Sequence, residues 1–250
     1  RQIGTLTEIK SNKPSIQSSL VAISCDEYFF HDCSCLISKD IVFLKYLMKT
    51  RIIVLHGGET FDTYEKYLEN LRAKKLDFAR LMQEDWKSGL QEKLGKDFQV
   101  ILPQMPNKKN AKYLEWKIWF DKIVPFLEDE CILIGHSLGG IFLVKYLSEE
   151  IVPKKIKALF LVAAPYDDSD FEDSLADFIL PAHLDKLVAQ VETICIYHSE
   201  DDPVVPIVDV YKYQKAIPKA EVCILKGRQH FNQESFPEIV ERIKVIVTNK

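Results

Sequence analysis

The chain has 250 residues, 47% of them apolar and 28% charged, proportions that exclude disordered or collagen-like architecture and fit one large domain or two small ones. Lys and Arg number 33 against 37 Asp and Glu, a net charge of -4, so no strong positive field draws the chain to nucleic acid and a small molecule or a protein is the expected partner. The longest apolar runs, such as 41–48, are broken by charge (Lys45) and fall far short of the ~20 residues of a membrane helix, so no membrane span is expected.

Residues 1–50 stand apart from the rest of the chain. They hold Cys25, Cys33 and Cys35 with His31, but one C-x-C beside one His lacks the paired spacing of a zinc ligand set, and no metal site is expected. The opening RQIGTLTEIK shows no basic start, apolar run and small-residue cleavage site of the secretory kind. Six cysteines are too few for a disulfide scaffold, and Cys131, Cys195 and Cys223 lie in runs that read as buried strands; reduced thiols and a cytoplasmic location are expected. The segment 1–50 is read as an N-terminal extension packed on a main domain of residues 51–250.

From residue 51 short β-rich runs alternate with helical patterns, the signature of a mostly parallel sheet covered by helices on both faces. Six strands are predicted, at 52–55, 98–102, 131–135, 158–163, 193–197 and 221–225. Tyr113, Trp116, Phe120, Ile123 and Leu127 fall at three- and four-residue spacing and predict one helix whose aromatic face is core packing rather than a binding box. A last helix over 236–247 carries Ile239, Ile243 and Val247 on a similar stripe.

The chemistry lies in the run from Cys131 to Gly140, where an apolar strand ends in Gly135-His136-Ser137-Leu138-Gly139 and a helical pattern follows at once. A strand-to-helix turn this sharp needs glycines two before and two after the serine, and it lifts Ser137 into the open at a helix N-terminus. A serine hydroxyl needs a base, and the base needs an acid to fix its tautomer. Asp202 follows the fifth predicted strand and His230 follows the sixth, giving the chain order Ser, Asp, His on loops at one edge of the sheet. Asp201 competes with Asp202, as does the pair Asp167 and Asp168. Asp202 is preferred because Pro203 holds it extended. His56, His136, His183 and His198 are read as packing or loop-ordering residues.

The G-H-S-L-G run, His56-Gly57-Gly58 after the first strand, D-D-P-V-V-P and the His-Phe-Asn at 230–232 together resemble the α/β-hydrolase superfamily. Within it the chain is similar to the small serine hydrolases related to retinoblastoma-binding protein 9. The resemblance covers about residues 51–250, supports Asp202 as the acid, and implies an oxyanion hole from the backbone N–H groups of Gly58 and Leu138, with Glu59 as the alternative first donor. It implies a serine hydrolase with no cofactor and no metal, cleaving carboxylic esters of short to medium acyl chain. A lactonase or serine aminopeptidase with the same triad, or a non-catalytic interaction module, are the alternatives.

Residues 164–182 are long for a simple connection and are expected to form a short helical lid. Phe171, Leu175 and Phe178 recur at helical spacing and are assigned to the substrate pocket. Asp167, Asp168, Asp170, Glu172, Asp173 and Asp177 occur there with no Lys or Arg, which predicts a negative mouth and a preference for neutral over anionic esters.

Overall fold

The computed structural model describes residues 49–169 and 174–248, which fall within the compact unit Leu44–Lys250. The extension expected over residues 1–50, with Cys25, His31, Cys33 and Cys35, lies outside the described residues except at its last two positions. Thr50 there already opens the first strand.

The aliphatic runs pair into one sheet. Its strands are β1 (Thr50–Leu55), β2 (Phe98–Ile101), β3 (Cys131–His136), β4 (Ile156–Val162), β5 (Val191–Ser199) and β6 (Glu221–Leu225). They lie in the order β2-β1-β3-β4-β5-β6, and every pairing is parallel. Register aligns Val54 with Ile134, Ile134 with Phe160 and Phe160 with Cys195. Side chains that alternate along a strand must therefore fill two separate cores.

One core gathers Ile53, Leu55, Leu133, Leu159 and Leu161 against α4 (Tyr113–Ile123) and α5 (Leu138–Glu149). The other gathers Ile52, Val54, Ile132, Ile134 and Phe160 against α3 (Trp86–Leu94) and α8 (Pro237–Thr248). Each fully buried aliphatic contributes about 1.5–3 kcal/mol of transfer free energy. The remaining helices are α1 (Tyr64–Ala73), α2 (Phe78–Met82), α6 (Asp185–Gln190) and α7 (Val208–Ala216). No helix of the described residues is long and apolar enough to cross a membrane.

The aromatic face of α4 packs as its spacing predicts. Trp116 and Phe120 are fully buried, and the Trp116 ring stands edge-on to Phe142 at 5.5 Å and to Phe178 at 5.4 Å. The helix gives way to a 3-10 turn at Val124–Phe126, where Pro125 has no N–H to continue the ladder. Leu127 is buried just beyond it. On α8 the stripe is Ile239, Ile243 and Ile246, with Val247 only partly covered.

The helical lid expected over 164–182 falls partly on residues 170–173, which lie outside the described residues. Among the described residues of this segment none is helical. Asp side chains take the backbone donors that a helix would need: Asp167 accepts from the Ser169 N–H and Asp168 from the Leu175 N–H. Carboxylates that bond locally to backbone compete with helix formation, and Pro165 and Pro181 bound the stretch.

Two consequences of topology position the site. Because all strands run parallel, the loops after β3, β5 and β6 emerge at one edge. The strand order reverses between β1 and β3, which opens a crevice beyond their C-terminal ends. The loop after β1 carries His56-Gly57-Gly58, and the turn after β3 carries Ser137.

Candidate active site

Ser137 sits between β3 and α5 with φ 55° and ψ -124°, a backbone state that costs a non-glycine residue roughly 1–3 kcal/mol. The turn tolerates no side chain at Gly135, where a Cβ would lie 2.5 Å from the Gly139 oxygen and 2.5 Å from the Gly140 Cα. Across the crevice a Cβ on Gly57 would come within 2.9 Å of Ser137 Cβ and 3.3 Å of its Oγ. Glycine there is what lets the β1 loop close on the serine.

His230 follows β6 on a loop whose neighbours Gln229 (φ 46°) and Phe231 (φ 53°) both take left-handed backbone. Its Nδ1 lies 2.9 Å from Asp202 Oδ2 and 3.1 Å from Oδ1, and the Asp202 side chain is 1% exposed. A carboxylate can only accept, so Nδ1 carries the proton and Nε2 keeps its lone pair. The N–H groups of Val204 and Val205 donate to Asp202 Oδ1 and hold it in place.

Asp201 points away from the imidazole, yet it is not idle. Its Oδ1 accepts from the Ser199 hydroxyl at 2.5 Å and from the N–H groups of Gly227 and Gln229. Those bonds hold its carboxyl below the ordinary value, the Ser199 hydrogen bond foremost. Asp201 thus ties the β5 loop to the histidine loop, a positioning role that its sequence context alone does not reveal. Asp167 binds Lys212 at 2.7 Å, and Asp168 serves the Leu175 N–H, so neither of this competing pair is the bonded partner of His230.

In the β1 loop, Met105 N–H donates to His56 Nε2 at 2.9 Å, so Nδ1 bears the proton and donates to the Gly57 carbonyl at 2.7 Å. His56 is a loop-ordering group. The Glu59 N–H is spent on the Lys108 carbonyl at 2.8 Å, which removes it as the alternative oxyanion donor and leaves Gly58. Opposite, Leu138 begins α5, where the first backbone N–H groups have no intrahelical acceptor.

His136 is wholly enclosed. Its Nε2–H donates to the His230 carbonyl at 2.8 Å, and its Nδ1 faces Lys87 Nζ at 3.4 Å. Burial, helped by the Lys87 charge, holds its pKa well below 6.5; burial also lowers His56 and His198. These folded values lie below the unfolded value, so the unfolded chain binds more protons as pH falls through 6.5 and stability declines there. The urea midpoint is therefore expected to be flat from about pH 8 to about pH 7 and to drop on going to about pH 5. A midpoint unchanged across that range would refute the assignment of neutral buried imidazoles.

Two cavities meet at Ser137. One is lined by Phe61, Leu138, Pro165, Leu175 and Val205, with Gly58 and Lys74. The other is lined by His56, Lys87, Lys108, His136 and His230, also with Gly58. The structure therefore brings Ser137, Gly58, Leu138, His230 and, through His230, Asp202 together. Leu175 lines the first cavity, whereas Phe178 is fully buried against Tyr113 and Trp116 in the core. Phe171, Asp170, Glu172 and Asp173 lie outside the described residues. The described acids of 164–182 line neither cavity, whereas Lys74 lines the first and Lys87, Lys108 and Lys109 line the second.

Among the described residues no cluster of His, Cys, Asp or Glu forms a metal-ligand set. The thiols of Cys131 and Cys195 are pushed up by burial to about 11 and about 12, which suits core packing rather than reaction.

A family model described as serine hydrolase matches residues 78–248. No curated protein matches the chain by sequence. Among solved structures, the ydeN gene product of B. subtilis superposes with a TM-score of 0.65 at 17% identity, covering 80% of this chain and 100% of that one. Est1E of Butyrivibrio proteoclasticus, solved with ferulic acid bound, gives 0.52 at 14% identity over 81% and 89% of the two chains. A structure from a study of carboxylesterases of the thaumarchaeon Nitrososphaera gargenis gives 0.51 at 14% identity over 82% and 93%. At these identities the likeness is one of fold, that of the α/β-hydrolases.

Proposed function

The chain belongs to the serine hydrolase family, and from that membership we propose that it cleaves carboxylic esters of short to medium acyl chain through an acyl-enzyme on Ser137. The observation that carries this reading is the His230–Asp202 pair, 2.9 Å apart and buried, opening on the same cavity as Ser137. Ser137 Oγ attacks the carbonyl carbon while its proton passes to His230 Nε2. The N–H groups of Gly58 and Leu138 receive the developing oxyanion. The bond to the leaving oxygen then breaks as His230 returns the proton to that oxygen, and water, activated by the same imidazole, releases the acid.

The acyl chain occupies the cavity of Phe61, Pro165, Leu175 and Val205. A panel of p-nitrophenyl esters, acyl lactones and aminoacyl anilides tests the reading. Turnover highest on the short and medium esters supports it. Turnover confined to lactones or anilides moves the enzyme to another class of acyl substrate, and turnover of none assigns the chain an interaction role.

A further inference from the structure

Resting on the ester-hydrolase reading, the geometry points to a substrate whose leaving group carries an oxyanion, a carboxylate or a phosphate, held beside His230 by Lys87 and Lys108. The two arms of the site divide the substrate. The leaving oxygen must take its proton from His230, and His230 lines only the second cavity. The leaving group therefore lies there, and the first cavity, with Phe61, Pro165, Leu175 and Val205 in its wall, takes the acyl chain.

The wall of that leaving-group arm is cationic in a chain whose net charge is -4. In that arm three lysines, Lys87, Lys108 and Lys109, face two carboxylates, Glu59 and Asp85. Glu59 is shared, 2.6 Å from Lys74 and 2.7 Å from Lys109. Asp85 is 2.6 Å from Lys87, and Lys108 has no acidic partner among the described residues. An excess of positive charge on a concave wall next to the reacting atoms favours a bound anion.

Lys87 is the stronger anchor because its ammonium is buried, with its side chain 8% exposed and one carboxylate as its charged partner. Burial holds it below the ordinary lysine range, and the Lys108 charge acts in the same direction. A second anion bridging the two ammonium groups removes that mutual repulsion. The same two charges lower His56, so both stand close to the loop that carries Gly58. On cleavage the acyl C–O bond breaks, the proton from His230 caps the leaving oxygen, and the released alcohol keeps its anion.

The test compares three acetyl esters of one phenol frame: methyl 4-acetoxybenzoate, 4-acetoxybenzoate and 4-acetoxyphenyl phosphate. We expect kcat/KM on the order of tenfold higher for an anionic member than for the neutral ester, since a hydrogen bond from an ammonium group to an anion is stronger than one to a neutral acceptor. The arm with the larger gain identifies carboxylate or phosphate. The gain shrinks with rising salt and in Lys108→Ala, and it persists in Lys122→Ala, whose lysine lines neither cavity. As a readout that needs no turnover, 4-hydroxybenzoate or 4-hydroxyphenyl phosphate should slow fluorophosphonate capture at Ser137 more than methyl 4-hydroxybenzoate does. Anionic esters no better than the neutral one, or a gain that Lys108→Ala leaves intact, overturn this inference while the hydrolase reading stands. Failure of both labelling and turnover sinks the hydrolase reading and the inference with it.

Discussion

Ser137→Ala is expected to lower kcat for ester hydrolysis by on the order of 10⁶-fold, the scale seen when a triad loses its nucleophile. No other group lining the junction of the two cavities combines a hydroxyl with an adjacent imidazole whose tautomer is fixed by a carboxylate. The backbone at position 137 stays at φ 55° for either residue. Alanine is about as strained there as serine, so thermal unfolding should be nearly unchanged. Substantial residual activity with an intact fold would mean that another group attacks the carbonyl.

Asp202→Asn is expected to lower kcat by about 10⁴-fold. The carboxylate accepts the Nδ1 proton, whereas an amide can present its NH₂ to the ring and leave Nε2 protonated, unable to serve as base. Asp201→Asn leaves an amide oxygen that still accepts from Gly227 and Gln229, so about a tenfold loss is expected from a loosened histidine loop. The two variants act at different points, because only Asp202 touches the ring that carries the proton in turnover. Equal losses in both variants would overturn the assignment of the acid.

The sheet and the G-H-S-L-G turn were legible because each depends on local pattern. Aliphatic runs such as Ile52 to Leu55 and Cys131 to Ile134 have no place except a buried parallel strand, and Gly135 and Gly139 mark a turn that other residues sterically forbid. In the segment 164–182 Phe171, Leu175 and Phe178 fall at helical spacing, while Asp167 and Asp168 bind the Ser169 and Leu175 N–H groups and leave the described residues there without a helix. Phe178 instead completes the aromatic cluster around Trp116.

Electrostatics of the site had no local signature. Lys74 ends next to α1, Lys87 lies within α3, and Lys108 lies on the loop between β2 and α4; only the crevice at the β1/β3 reversal brings them to one wall. The acids of 164–182 are conspicuous in sequence, but the described ones, Asp167, Asp168 and Asp177, bind Lys212 and backbone N–H groups away from the cavity lining. Asp201 was hidden for a related reason: its partners Gly227 and Gln229 are distant in sequence and meet it only through the pairing of β5 with β6.

Whether Ser137 is a nucleophile activated by His230 and Asp202 is tested most directly by mass mapping of a fluorophosphonate adduct on the wild-type chain, Ser137→Ala and His230→Ala. The expected result is one adduct on the peptide containing Ser137 in the wild type, none in Ser137→Ala, and capture slowed by several orders of magnitude in His230→Ala. An unlabelled wild type, or an adduct on a different residue, would contradict that role for Ser137.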